Sequence, residues 1–203
     1  MKELCVPNLP NSFLAYHGHG IDPLSLNGEQ LVILREPKDR FCSAVRYSLT
    51  YMKNNSDGDI DKFYDFEEKG LLDPSTWAEA LADINHLHHE LVYSEVRNVS
   101  HKMGNIPLDV KWTYAPQHIW LNRCCSPRVA LFHELSDDLQ YLFDSVNKSL
   151  KYNIPHENAV TVTGNNELST IAHEYLNDMY QEDIVIFNKY NTMDRSVRMS
   201  LSQ

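Results

Sequence analysis

In the stretch LVILREPKDRFCSAV, Leu31 to Val45, four apolar residues stop at an arginine, and a helical pattern begins two residues later. Four such residues without polar alternation read as a strand buried on both faces, the kind used by parallel sheets. Pro37 stands where a first helical turn would start. Phe41, Ala44, Val45, Leu49 and Met52 then recur at helical spacing. A strand that delivers a helix this directly points to α/β architecture and sets the helix N-terminus at the carboxyl edge of the sheet.

That edge gathers free backbone N–H groups and the positive end of the helix dipole, which suits a phosphate. Arg35, at the strand end, offers a planar, two-pronged grip on phosphate oxygens. Ser43 lies on the same helical face as Arg40 and adds a hydroxyl donor. The plain alternative is an ion pair between Arg35 and Glu36 or Asp39 at an ordinary strand–helix corner.

The remaining chain continues the alternation. KNNSDGDIDK breaks the first helix and reads as an exposed loop. DPSTWAEALADINHLHHEL predicts one helix, with Thr76 and Glu79 at capping-box spacing and Trp77, Leu81, Ile84, His88 and Leu91 on one face. Val129–Phe132 reads as a second strand, feeding a helix whose buried stripe is Leu135, Leu139, Leu142, Phe143 and Val146. A last helical pattern holds Leu168, Ile171, Ala172, Tyr175, Leu176 and Met179. Together these predict an α/β three-layer fold, a parallel sheet flanked by helices. No internal repeat, low-complexity tract or linker divides the 203 residues, so a single domain over 1–203 is expected.

Charge narrows the partners. A net charge of −10 argues against a nucleic-acid surface and equally against a long polyanionic partner, while leaving room for one basic cleft. No run approaches the ~18 apolar residues of a membrane span, and no signal-peptide core is present, so no membrane partner and a cytoplasmic location are expected. Cys5, Cys42, Cys124 and Cys125 show no CxxC spacing, which fits reduced thiols. Cys124 and Cys125 read as a packed strand edge rather than a nucleophile.

The segment ILREPKDRFCSAV also resembles the 3′-phosphate-binding segment of sulfotransferases that use 3′-phosphoadenosine 5′-phosphosulfate (PAPS). Their pattern is a strand, then R-[DEN]-P, two residues, R, two residues and S; Arg35, Pro37, Arg40 and Ser43 match it. AYHGHG, just upstream, is similar to the His-Gly-His of the uronyl 2-O-sulfotransferase branch. YAPQHIWL, VALFHELSDDLQYLF and LNDMYQEDIVIF are similar to that superfamily in order and spacing, so the resemblance runs from Tyr16 to Phe187.

The resemblance implies a P-loop-NTPase-like sulfotransferase fold, PAPS as co-substrate, no metal, and an acceptor hydroxyl on a carbohydrate-type substrate. It gives the 3′-phosphate to Arg35 and Ser43, with Arg40 beside them. It makes His19 the general base and His17 its orienting neighbour. Trp112 and Gln117, around PQHIWL, are the candidate substrate-binding residues; core packing is the other reading of Trp112, Tyr114 and Trp120.

The chain departs from the family at its start. Sulfotransferases of this type wrap the 5′-phosphosulfate with a P-loop-like turn whose lysine stabilises the bridging oxygen. Here no lysine stands between Lys2 and Lys38, and no GxxxxGK[ST] pattern exists. The nearest candidate turn is CVPNLPNSFL, with Asn8 in the lysine's place and Ser12 near the hydroxyl position. Residues 13–30 show no sustained helical period, and Gly18, Gly20, Pro23 and Gly28 would interrupt one. The donor loop is therefore expected to be degenerate or missing.

That departure keeps a second reading open, a sulfotransferase-fold module that binds nucleotide or glycan without turnover. A third is a metal-dependent phosphoesterase, from His17 and His19, from HLHHE at His86–Glu90, and from GNNE at Gly164–Glu167. Against it, no Asp/His set has the spacing of a known metal site, and His86, His88 and His89 fall in a predicted helix.

Overall fold

A computed structural model describes residues 24, 29–54, 59–97, 102–103, 106–145 and 167–200. In chain order these form β1 (Leu31–Leu34), α1 (Pro37–Asn54), α2 (Asp59–Glu68), α3 (Pro74–Ala82), α4 (His89–Val96), β2 (Lys102–Met103) and β3 (Ile106–Pro107). Then follow α5 (His118–Leu121), β4 (Arg128–Leu131), α6 (Leu135–Ser145), α7 (Thr170–Met179), α8 (Gln181–Asn191) and α9 (Arg195–Arg198). The class is α/β and helix-rich. Among the described residues the central pairing is two-stranded: β1 runs parallel to β4, Leu31 opposite Arg128 and Leu34 opposite Leu131. β2 and β3 make a separate antiparallel ribbon.

The two faces of the β1–β4 pair are covered by different helices. Val32, Leu34, Val129 and Leu131 pack with Phe187, Ile186 and Tyr190 of α8 and with Leu121. Leu31 and Ala130 point the other way, into Leu135, Leu139 and Leu142 of α6 and Met199 just after α9. This alternation is the period of two that a strand imposes. β4 is buried throughout its last three residues, but Ile33 of β1 stays 46 % exposed. The expectation of a β1 buried on both faces is corrected at this residue, because the residues packed on the second face cover Leu31 and leave Ile33 open.

A buried ion cluster ties α9 to this layer. Asp138 of α6 is fully buried and accepts from Leu131 N–H (2.8 Å), from Arg195 Nε (2.8 Å) and from Arg198 Nη1. Arg198, also buried, pairs with Glu134 and donates to the Val129 carbonyl (3.3 Å). Removing one member would strand an uncompensated charge, at a typical cost of about 3–5 kcal/mol.

The main apolar core lies among α1, α2, α3, α4 and α7. Trp77, Phe66, Phe41, Leu49, Val92 and Leu176 are all fully buried in it. Trp77 satisfies its indole N–H on the Leu71 carbonyl at 2.8 Å. Truncating such a side chain to alanine typically costs about 3–5 kcal/mol. Tyr114 crosses the core with its hydroxyl 2.8 Å from Ser48 Oγ, and its carbonyl accepts from Tyr180 Oη at 2.7 Å.

The single helix expected over 73–91 is two helices. α3 ends at Ala82 and α4 starts at His89. Asp83 takes an extended conformation, and its carboxylate accepts from the Asn85 N–H at 2.9 Å. A short side chain that bonds the backbone two residues on competes with the helical ladder. Ile84 is accordingly 75 % exposed rather than on the buried face, and His86 and His88 sit in the connection. The cap differs too. Asp73 caps α3 through the Ser75 N–H (2.7 Å), while Thr76 Oγ1 donates back to the Asp73 carbonyl and Glu79 accepts from Ser75 Oγ. The second strand closes at Leu131, and Phe132 opens a 3₁₀ turn. In the last predicted helix Ala172 and Leu176 are buried, but Ile171 is 57 % exposed. Val146 lies outside the described residues.

Candidate functional site

The junction between β1 and α1 is built from side chains that serve main-chain groups. Pro37 opens α1, where a backbone N–H would have no intrahelical acceptor and its absence costs nothing. Glu36 accepts from the Asp39 N–H at 2.7 Å, so its carboxylate is used as a helix-start acceptor. Gln117 completes the end of β1: its Oε1 accepts the Arg35 N–H at 3.0 Å and its Nε2 donates to the Arg35 carbonyl at 2.7 Å. Parallel strands would make that pair of bonds with a neighbouring strand; here a side chain makes them.

These contacts fix the main chain of Arg35 and leave its guanidinium for something else. Among the described residues no carboxylate forms an ion pair with it, so the corner pairing to Glu36 or Asp39 is not made. The guanidinium lies 4.5 Å from the centre of the Phe132 ring, at the carboxyl end of β4. Its Nε is buried without a hydrogen-bond partner among the described residues. Burial holds its pKa below the usual arginine value, and Arg46 pushes the same way, against Asp39, Cys42 and Glu36. Asp39 and Arg46, whose charges reach Arg35, lie on α1, as does half-buried Ser43. A half-desolvated cation with another cation beside it gains most from an anion.

Arg40 has a different environment. Its Nη2 donates to the Trp112 carbonyl at 3.0 Å and its Nη1 to the Ala115 carbonyl at 2.5 Å. It lies 5.9 Å from the Trp120 ring centre, and burial lowers its pKa, opposed by Tyr180 and Asp183. Both of its terminal nitrogens thus hold the 112–115 segment against α1. Trp112 is 8 % exposed and packs with Leu108, Ala115 and Trp120, its ring 5.7 Å from that of Trp120. One edge of it borders an open pocket shared with Tyr47, Ser48, Tyr51, Glu95, Lys111 and Thr113. Gln117, expected to meet substrate, has both side-chain atoms engaged with Arg35.

Sequence reasoning overlooked His118 and Asp183. Asp183, 2 % exposed on the first turn of α8, accepts from the Gln117 N–H (2.6 Å) and the His118 N–H (2.8 Å) at the start of α5. It also meets His118 Nδ1 at 2.8 Å, while His118 Nε2 stands 3.6 Å from Glu182. Asp183 therefore fixes Gln117, which fixes Arg35. The sequence carried one trace of this: PQHIWL and QEDIVIF are both blocks of the sulfotransferase resemblance.

Asn8, Ser12, His17 and His19 lie outside the described residues, as do Cys5 and Gly164. Among the described residues no group of three or more His, Cys, Asp or Glu is placed to hold a metal ion. His89 Nδ1 lies 2.8 Å from the Ala80 carbonyl, and His86 Nδ1 accepts from the His88 N–H at 3.2 Å. Cys42, Cys124 and Cys125 are free thiols. Burial, with a smaller push from Cys125, raises Cys124 to about 11, and its Sγ donates to the Trp120 carbonyl at 3.3 Å. Burial likewise raises Cys42 to about 11. Neither is a thiolate near neutrality. No helix among the described residues is long and apolar enough to cross a membrane.

The junction thus presents the half-buried Arg35 guanidinium on a frame braced by Gln117, Asp183 and Arg40. No family model, curated protein or solved structure matches this chain.

Proposed function

We propose that the chain is a PAPS-dependent sulfotransferase whose acceptor is a hydroxyl on a carbohydrate-type substrate. The observation that supports this most is the Arg35 guanidinium, half-buried at the carboxyl end of a parallel strand, ring-stacked on Phe132 and without a carboxylate partner among the described residues. It falls on the residue to which the sulfotransferase resemblance gives the 3′-phosphate. The fold in this reading is the P-loop-NTPase-like one, with the β1–β4 pair as part of a three-layer sheet.

The chemistry is an in-line displacement. His19 takes the proton of the acceptor hydroxyl, with His17 as its orienting neighbour. The oxygen attacks sulfur, the bond from sulfur to the 5′-phosphate oxygen breaks, and 3′-phosphoadenosine 5′-phosphate leaves. Arg35 and Ser43 hold the 3′-phosphate, and Asn8 and Ser12 stand in the donor loop. The absence of a lysine between Lys2 and Lys38 favours a second reading, in which the same site binds nucleotide or glycan without turnover.

Titration of wild type, Arg35→Ala and Ser43→Ala with 3′-phosphoadenosine 5′-phosphate and with adenosine 5′-phosphate tests the donor site. Each variant should lose about ten- to a hundredfold in affinity for the first and little for the second. Equal losses for both nucleotides would remove the 3′-phosphate assignment. Transfer from labelled PAPS to an oligosaccharide separates enzyme from binding module.

A further inference from the structure

Helices α7 and α8 are held from within and open a groove on their outer side. Ala172 and Leu176 of α7 and Tyr180 after it are buried, and Tyr180 Oη donates to the Tyr114 carbonyl at 2.7 Å. Glu174 and Asp178 of α7, with Gln181, Ile184 and Val185 of α8, line an open groove of about 400 Å³. Ile171, one turn before Glu174, is 57 % exposed, and Val185 is 65 % exposed. This face works against folding in two ways. Glu174 and Asp178 are like charges one helical turn apart, which is mildly destabilising, and neither forms an ion pair among the described residues. Ile171 and Val185 leave aliphatic surface in water on the same two helices. No cation lines the groove among the described residues. Lys189, one turn beyond Val185, lies 5.5 Å from the centre of the Tyr190 ring.

We infer that this groove docks a basic amphipathic helix of a protein partner. Its aliphatic residues meet Ile184 and Val185, and its lysines or arginines reach Glu174 and Asp178. The ten residues of α7 span about 15 Å, so a partner segment of about the same length matches them. Charge selects this occupant over the others. A second copy would bring the same two carboxylates and a net charge of −10 to the contact. Nucleic acid and anionic bilayers would be repelled in the same way. The groove is separate from the Arg35 junction, because Asp183, which braces that junction, is on the buried side of α8.

The test selects a displayed library of helical peptides, each about ten to fourteen residues long, on the full chain. Enriched sequences are then titrated by fluorescence anisotropy. They should carry Lys or Arg beside aliphatic residues at helical spacing. Glu174→Gln with Asp178→Asn, and separately Ile171→Gln with Val185→Gln, should each weaken binding by roughly tenfold or more. Glu67→Gln with Glu68→Gln removes the same charge from exposed positions of α2 and should change little. All six positions are exposed, so undiminished melting temperatures confirm intact folding. No enrichment, enrichment of acidic or purely apolar peptides, or unaltered affinity in either groove variant overturns the inference. An equal loss in the α2 variant does so too, since it would reduce the effect to net charge. Self-association of the chain, or binding to phosphatidylserine vesicles, that Val185→Gln abolishes would give the groove to another occupant and equally overturn it.

Discussion

Gln117 grips the main chain of Arg35 from both sides, accepting its N–H at 3.0 Å and donating to its carbonyl at 2.7 Å across 82 positions of sequence. A glutamine side chain thereby holds the strand end from which the guanidinium departs. Gln117→Leu keeps the volume and strips both bonds, leaving two half-buried backbone groups unpaired. Unfolding in urea should show a loss of about 2–4 kcal/mol at unchanged m-value. The same variant should bind 3′-phosphoadenosine 5′-phosphate more weakly, because Gln117 positions the main chain of Arg35. Stability lost with donor affinity intact would separate the clamp from the site.

Arg35 should behave as a residue kept for binding at no benefit to folding. Its guanidinium is desolvated, with no carboxylate partner among the described residues to offset that cost. Arg35→Met retains the apolar stem on Phe132 and removes the charge, so its melting temperature should equal or exceed that of wild type. Arg35→Lys keeps the charge and loses the planar fork, and should still bind the nucleotide about tenfold more weakly. A marked fall in melting temperature for Arg35→Met would make Arg35 a structural residue.

The β1–α1 junction was legible because its signals are local and agree: an unbroken apolar run, an arginine, then Pro37 and a helical period. The break at Asp83 was not. Trp77, Leu81, Ile84, His88 and Leu91 keep helical phase across it, while the Asn85 N–H donates to the Asp83 carboxylate two residues back and competes with the helical ladder. Asp183 was invisible for the opposite reason. An acid in a helix's first turn is ordinary by the dipole alone, and its partners Gln117 and His118 are 66 and 65 positions away. The burial of Trp112 and the pairing of Gln117 with Arg35 follow from tertiary contacts that no spacing encodes.

Acid should loosen the α6–β4–α9 cluster through Asp138. Burial alone would raise its pKa, but hydrogen bonds from Arg198, the Leu131 N–H and Arg195 outweigh that and hold it below the usual aspartate range. In the unfolded chain it titrates near ~3.9. Between the folded and unfolded values the unfolded state binds more protons, so stability rises with pH there. Its contribution is therefore complete above pH ~4 and is lost as pH falls through the folded pKa. Asp138→Asn should cost about 3–5 kcal/mol at neutral pH and flatten the acid limb of a stability profile. If the variant and wild type lose stability in parallel below pH 4, another carboxylate governs the acid response.

His19 carries the chemical step in the proposed mechanism, and its role can be measured apart from donor binding. An acceptor hydroxyl is a poor nucleophile until its proton moves, and histidine titrates near ~6.5, so its neutral form can accept that proton at physiological pH. Gly18 and Gly20 flank it, and residues without a Cβ let the backbone bring the ring close to a bound sugar. His19→Ala should slow single-turnover transfer by ~10²–10⁴-fold, the usual worth of a positioned base, with nucleotide affinity nearly unchanged. His17→Ala should cost less, since it removes the orienting neighbour and leaves the base. The pH profile separates a base from a packing residue: the wild-type rate should climb through pH ~6–7 and level off, and the climb should vanish in His19→Ala. Near-normal rates with the same climb in that variant would place the base on another residue.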